Sequence, residues 1–316
     1  MSDGRLRCAV IGTGKMGRLH ARKYAALPEC ELVAVVDRDG AVAAQAAAES
    51  GAEALTDYAP LLGCVDAVSI AVPTSLHHRV ARDFLDAGAH VLVEKPITVT
   101  LEEADDLIEL ARRRRRVLQV GHIERFNAAL MALDLERAPP RFIEATRIAP
   151  FSARGADVSV VLDLMIHDID LILALVGADV ERVDAVGTPV FTDDIDIANA
   201  RLVFAGGCVA NVTASRVSQK VERKMRLFLP DGYAAVDFQN RALQRVRLGE
   251  PRMRDGIPNV LTETRVFEGD DPLATEIRCF LACALSGAEP PTSGVTGRRA
   301  LALAAQIGAA LAAGRH

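Results

Sequence analysis

Two short stretches carry side chains whose types and spacing suit chemistry. The first is Asp163-Leu164-Met165-Ile166-His167-Asp168-Ile169-Asp170. On a helix, Asp163 and His167 are four apart and share a face, and Asp170, seven from Asp163, lies near it. Val160, Val161, Leu162, Leu164, Ile166, Leu171, Ile172 and Leu173 surround them with apolar residues on every side, as in a buried helix. A histidine and several carboxylates in such a helix are costly unless paired. The spacing fits a satisfied structural His–Asp pair as well as a functional one. No further His or Cys stands where it would complete a metal site. The second stretch is Glu94-Lys95-Pro96, just past the apolar run His90–Val93. Lys95 then lies beyond a strand's carboxyl end, where open parallel sheets bind their ligands. Pro96 fixes its own φ and biases Lys95 toward an extended backbone. The plainer alternative is a surface salt bridge from Glu94.

A third motif suits a phosphate-bearing ligand. Gly12-Thr13-Gly14-Lys15-Met16-Gly17 follows the apolar run Leu6–Ile11 and opens a segment of helical periodicity, Lys15–Leu27. Gly12 permits a tight turn, Gly14 lets a pyrophosphate approach the backbone, and Gly17 lets the helix pack on the strand. The helix N-terminus supplies N–H groups and a partial positive charge. Asp37 ends the second strand twenty residues after Gly17. A carboxylate there accepts hydrogen bonds from the adenosine ribose of NAD and repels the extra phosphate of NADP. Arg38 can offset that repulsion, so NAD is expected and NADP remains possible.

These motifs need a scaffold, and the chain predicts one. Its 316 residues suggest two domains. In the first part, short apolar runs at Leu6–Ile11, Leu32–Val36, Ala67–Val72, His90–Val93 and Val117–Val120 alternate with helical segments. That pattern predicts a parallel sheet covered on both faces, an α/β domain over residues 1–121. From residue 122 to 316 the pattern changes. Helices are expected at Phe126–Leu135 and Val158–Val176, then strands from Val183 to Arg247 with hairpin turns, then helices at Pro272–Ser286 and Thr296–Ala313. This predicts an α+β domain with a large, open, mostly antiparallel sheet.

Composition excludes other classes. The net charge is −5, so the overall field opposes nucleic acid. The run Arg112 to Arg116 falls at a helix end, where cations suit the dipole. The longest soft apolar stretch, Ala300–Ala313, is too short for a bilayer, and the four-residue apolar run Cys8–Ile11 is not expected to act as a signal peptide. The six cysteines are scattered. They read as buried thiols of a reducing compartment, and the expected location is the cytoplasm.

Together, Gly12–Gly17 with His20, Val72-Pro73-Thr74 with His77, Glu94-Lys95-Pro96, Gly121-His122-Ile123-Glu124-Arg125-Phe126-Asn127 and the Asp163–His167 helix resemble the Gfo/Idh/MocA oxidoreductase family over nearly the whole chain. Where the family often has a proline after Arg-Phe-Asn, this chain has Ala128. The resemblance implies an NAD(P) domain followed by an open-sheet domain, with hydride exchange at a sugar or cyclitol carbon. It implies Lys95, Asp163 and His167 as the catalytic group. His167 accepts the hydroxyl proton, Lys95 holds the substrate oxygen and Asp163 orients the substrate. Pro73, Thr74, His77, Glu94 and Lys95 join Gly12–Gly17, Asp37 and Arg38 as the implied cofactor site.

Within the family, the Gly121–Asn127 and Leu164–Leu173 segments look most like nucleotide-sugar dehydrogenases, which oxidise the 3-hydroxyl of UDP-N-acetylglucosamine. A sugar nucleotide calls for a phosphate partner; Arg154, and with it Arg125, are the candidates. The alternatives are a myo-inositol or free-sugar dehydrogenase, a keto-sugar reductase, or a regulator that binds cofactor without catalysis. The strands of the second domain carry apolar residues on both alternations, such as Leu202, Val203 and Phe204, or Val209, Ala210, Val212 and Ala214. A homodimer or homotetramer packed through that sheet is therefore expected.

Overall fold

The computed structural model describes residues 5–133, 139–152, 158–230 and 232–314. The chain forms two compact units: Met1–Ile123 with Asp271–Arg298, and Glu124–Asp270 with Arg299–His316.

In the first unit, strands β1 (Leu6–Ile11), β2 (Cys30–Val36), β3 (Glu53–Leu55), β4 (Ala67–Ile70), β5 (His90–Glu94) and β6 (Leu118–Gly121) form one sheet in the order β3-β2-β1-β4-β5-β6. Every pairing is parallel. That is the doubly wound order in which dinucleotides bind beyond the strands' carboxyl ends. Helices α1 (Lys15–Ala26), α2 (Gly40–Ser50), α3 (His77–Asp86) and α4 (Leu101–Arg114) connect the strands. Local chemistry sets their ends. Asp39 caps α2, and Thr100 and Glu103 close a capping box on α4. The arginine run ends α4 as expected, with Arg112 paired to Glu109 and Arg114 to Asp86.

The chain passes from the first unit to the second after Ile123, and a later segment, Asp271–Arg298, rejoins the first. Helix α5 (Ala128–Met131), α6 (Ile166–Val176), α7 (Pro272–Ser286) and α8 (Gly294–Ala313) follow in the chain, and α7 returns to the first unit. Its Leu273, Ile277, Phe280 and Leu281 are buried in one core with Val10, Tyr24 and Leu92. The six cysteines are all free thiols.

The second unit holds β7 (Phe142–Ile148), β8 (Val180–Thr188), β9 (Ile197–Phe204), β10 (Val209–Ser215), β11 (Glu222–Leu229), β12 (Gly232–Asp237), β13 (Ala242–Arg254) and β14 (Ile257–Val266). They form an eight-stranded sheet, β14-β13-β12-β11-β7-β10-β9-β8, antiparallel except for the pair β7–β10. One face is buried against α6 and the later residues of α8.

The expectation of apolar residues on both faces holds only in part. Leu202, Phe204, Ala210, Val212 and Ala214 all point to the core, whereas Val203 and Val209 lie on the other face. That face carries one apolar row in register: Val203, Val209, Phe142, Phe228, Tyr233 and Val246. The next row is polar, with Arg226 paired to Glu144 and Arg201 bonded to Asn211. Among the described residues, no helix is long and apolar enough to cross a membrane.

Candidate active site

The parallel sheet gathers the predicted residues along one rim. Gly12 follows β1, Asp37 follows β2, Val72 lies just past β4, and Lys95 follows β5. Because all strands run the same way, these positions share the carboxyl end of the sheet.

The glycines have distinct jobs. Gly12 has φ +86°, and a Cβ there would meet the Ala71 carbonyl at 2.8 Å. A Cβ on Gly17 would lie 1.7 Å from the Gly12 carbonyl oxygen, so only glycine lets α1 pack this closely. Around Gly14 there is nothing within 4 Å of the same position. Gly14 is also the N-cap of α1, with no side chain capping the first turn and no acidic residue in it. Exposed Lys15 and half-exposed Met16 start the helix. An uncapped helix start beside open space, with a lysine and no carboxylate, fits a diphosphate.

The Asp37 carboxylate is held in place by its neighbours. Its Oδ2 accepts from the Thr13 backbone N–H at 2.9 Å and the Thr13 hydroxyl at 3.2 Å, and its Oδ1 accepts from the Asp39 N–H at 3.1 Å. Thr13 is fully buried, and both its backbone N–H and its hydroxyl go to Asp37. Arg38 beside it is exposed. These residues fit NAD: a carboxylate at the ribose position and a cradle at the diphosphate position.

Two residues implied at the cofactor site have other first partners. His77 is 1% exposed, with Nδ1 at 2.9 Å from the Pro96 carbonyl and Nε2 at 3.0 Å from the Val72 carbonyl. It ties the two rim loops together instead of facing outward. Burial holds its pKa below the ordinary histidine value, against the pull of those two carbonyls. Glu94 pairs with His20, Oε1 to Nε2 at 3.1 Å. Burial works against the Glu94 charge, yet His20, then Lys95 and His77, keep its pKa below the usual carboxylate value. Pro73 is exposed, and Thr74 opens a short 3₁₀ turn leading into α3.

In the second unit, the expected helix Val158–Val176 is not uniform. Val161–Met165 forms a π-helical turn, and regular α6 starts at Ile166. π-turns are rare and often accompany functional sites. Asp163 sits in this turn and His167 just after it, both partly exposed, whereas Asp168 and Asp170 are buried at 1% and 2% exposure. The helix therefore sorts its ionisable residues into two sets.

The buried set is fully paired. Arg147 grips Asp168 in a two-pronged contact, Nε to Oδ2 at 2.9 Å and Nη2 to Oδ1 at 3.0 Å. Its Nη1 also donates to Glu124 Oε1 at 2.7 Å. Burial opposes the Arg147 charge, but the two carboxylates prevail and raise its pKa. Burial also raises the pKa of Asp168, and Arg147 only partly offsets this. Arg125 holds Asp170 in the same two-pronged way, at 2.7 and 3.1 Å. That ion pair ties Arg125 to α6 and leaves its side chain 17% exposed. Arg154 lies outside the described residues.

Reading the sequence missed Arg147, yet a signal was present. On β7 the buried alternation runs Ile143, Ala145, Arg147. A charge on the apolar alternation of a strand demands carboxylate partners. Ala128 is also explained: its backbone N–H donates to Asp270 Oδ2 at 3.0 Å, which a proline has no hydrogen to do.

Comparison with known proteins agrees with this geometry. Residues 6–122 match the family described as an oxidoreductase family with an NAD-binding Rossmann fold, and residues 119–235 match the GFO/IDH/MocA C-terminal domain. UDP-N-acetylglucosamine 3-dehydrogenase of Acidithiobacillus ferrooxidans is 44% identical over 98% of this chain and 98% of its own. A solved structure of that enzyme superposes with a TM-score of 0.92, covering 98% of each chain at 44% identity. Inositol 2-dehydrogenase of Rhizobium meliloti is more distant, 27% identical over 95% of this chain and 94% of its own.

Proposed function

The chain belongs to the Gfo/Idh/MocA family of NAD-binding oxidoreductases, and on that basis we propose that it oxidises the 3-hydroxyl of UDP-N-acetylglucosamine. The observation that carries this reading is the 44% identity with a UDP-N-acetylglucosamine 3-dehydrogenase along 98% of both chains. Bound NAD supplies the hydride acceptor. Gly12–Gly17 and the start of α1 would hold its diphosphate, and Asp37 would hold its adenosine ribose.

Lys95, Asp163 and His167 act on the substrate. Lys95 donates to the reacting oxygen and stabilises negative charge as it develops there. His167 accepts the hydroxyl proton. Nδ1 of His167 is buried, so the proton is assigned to Nε2. Asp163 orients the sugar. The arginine-paired carboxylates Asp168 and Asp170 keep α6 fixed and take no part in the chemistry. Arg154 is the proposed partner of the substrate diphosphate.

We place the protein in the cytoplasm, a reading supported by six free thiols. We also propose a homodimer or homotetramer, with the apolar row from Val203 to Val246 as the contact. A monomeric mass by light scattering at micromolar concentration contradicts that assembly.

The activity is tested by incubating protein and NAD with UDP-N-acetylglucosamine, myo-inositol or glucose, with a hydrazine to trap the keto product. NADH formed with the nucleotide sugar alone supports the reading. Turnover of the free polyols with none on the nucleotide sugar replaces it with an inositol-type activity.

A further inference from the structure

Lys95 is bracketed by two residues, and a buried histidine holds each of them. On the amino side, Glu94 Oε1 lies 3.1 Å from His20 Nε2. The other nitrogen of His20 is 3.0 Å from Ser69 Oγ, and Ser69 Oγ is 2.9 Å from the Tyr24 hydroxyl. On the carboxyl side, the Pro96 carbonyl lies 2.9 Å from His77 Nδ1, and His77 Nε2 lies 3.0 Å from the Val72 carbonyl. Ser69 is fully buried; His20, Tyr24 and His77 are each 1% exposed.

The donor directions follow from the partners. With Glu94 ionised, His20 donates from Nε2 and accepts at Nδ1 from the Ser69 hydroxyl, whose oxygen accepts from Tyr24. A neutral imidazole thus satisfies every member of the chain. An imidazolium would also donate to Ser69 and leave one of the two hydroxyl hydrogens, on Ser69 or on Tyr24, with no acceptor in that chain. The chain runs from the core of the first unit, through α1 and β4, to the carboxylate beside Lys95. Gly121 pairs in register with Glu94, and a Cβ there would lie 3.2 Å from the Glu94 carboxyl carbon and from Oε2. The glycine leaves the carboxylate the one place it occupies.

An apolar core would serve stability at least as well as these buried polar groups. Their distinctive consequence is geometric: the satisfied His20 chain rigidifies what it touches, and His77, which when neutral donates to one of its two carbonyls, is assigned its Nδ1–H toward Pro96. We propose that His20 and His77 are positioning residues for Lys95: His20 fixes the Glu94 carboxylate on one side of the lysine, and His77 fixes the Pro96 carbonyl on the other. The proposal rests on the reading of Lys95 as a residue that contacts the substrate oxygen.

The two histidines use different ring nitrogens toward the Lys95 segment, and this gives a crossed test. A glutamine amide mimics Nε2, and an asparagine amide mimics Nδ1. His20→Gln keeps the bond to Glu94 and His20→Asn loses it. His77→Asn keeps the bond to Pro96 and His77→Gln loses it. The expected result is a fall in kcat of about ten- to a hundredfold in His20→Asn and His77→Gln, as for a displaced catalytic group. His20→Gln and His77→Asn should stay within about threefold of the parent, the small cost of an imperfect mimic. Hydrogen exchange of peptides across residues 92–100 should quicken only in the two damaging variants. Equal losses in all four variants, in step with their melting temperatures, would show a structural role and overturn the proposal.

Lys95→Met separates this inference from the reading beneath it. If Lys95→Met keeps parental turnover, the role of Lys95 fails. If Lys95→Met abolishes turnover while His20→Asn and His77→Gln retain it, the positioning role alone fails. Adding His20→Asn to Lys95→Met should lower the residual rate no further, and an additive loss would contradict action through Lys95.

Discussion

Arg147 and Asp168 form a two-pronged ion pair, at 2.9 and 3.0 Å, one residue along the helix from His167. Both side chains are within 3% of full burial. The pair anchors α6 to β7 and so fixes the backbone that carries the proposed proton acceptor. Breaking one partner leaves the other as an uncompensated buried charge. Arg147→Ala should therefore destabilise the protein by about 3–5 kcal/mol, read as a lower urea midpoint. Arg147→Lys should not restore it, because one ammonium cannot make the fork. Asp163→Asn, at a partly exposed position, should cost at most about 0.5–1 kcal/mol while lowering turnover. Similar midpoints for Arg147→Ala and the parent would show that the pair does not hold the helix.

Asp37 is the proposed determinant of cofactor choice. Asp37→Ala should weaken NAD by about ten- to a hundredfold, the loss of a charged hydrogen-bond partner worth about 1.5–3 kcal/mol. The ratio of NAD to NADP affinity should fall as the repulsion of the extra phosphate disappears. Isothermal titration calorimetry with NAD and with NADP measures both. Tighter NADP than NAD binding by the parent protein would reverse the assignment and point to Arg38.

His90 makes stability depend on pH. Its Nδ1 accepts from the Val117 N–H at 3.0 Å, which needs the neutral ring. Burial, and then Arg116, lower its pKa from 6.5 to about 4, against a smaller opposing effect of Asp66. The folded value is depressed, so the contribution is complete above about 6.5 and is lost as pH falls toward about 4. The most this shift supplies is about 3 kcal/mol. His90→Asn keeps an acceptor that does not titrate. The parent should lose stability relative to His90→Asn across that window. Parallel stability–pH curves would reject the account.

Ala128 tests the departure from the family's proline. Ala128→Pro should cost about 1–2 kcal/mol in urea, because Asp270 loses its backbone donor. Proline otherwise suits the first position of a helix, so an unchanged midpoint would mean that the Asp270 contact adds nothing.

The legible parts of the sequence were those in which local pattern and global fold agree. Continuous apolar runs with a glycine loop between the first strand and helix specify a parallel sheet and its ligand end. Strand β3 escaped notice because none of its three residues is buried, so no apolar run marks it. The return of α7 was invisible because the apolar face of a helix does not say which core receives it. The far part of β13 and all of β14 were missed for a related reason. Met253, Ile257, Val260 and Leu261 are exposed there, and no buried alternation marks the strands. At the site, the spacing of Asp163 and His167 was readable, but the π-turn was not. It was hidden in a segment apolar on every side. The sorting of carboxylates on α6 depended on Arg147 and Arg125, which come from other segments of the chain.

The most direct test of the central claim follows the hydrogen on carbon 3 of the sugar. UDP-N-acetylglucosamine carrying deuterium at that carbon is incubated with NAD and the protein, and the reduced cofactor is examined by mass spectrometry. The account predicts deuterium in the reduced nicotinamide and a ketone at carbon 3, with both absent in His167→Ala. Unlabelled NADH, which would place the oxidation at another carbon, or no NADH from this substrate would contradict it.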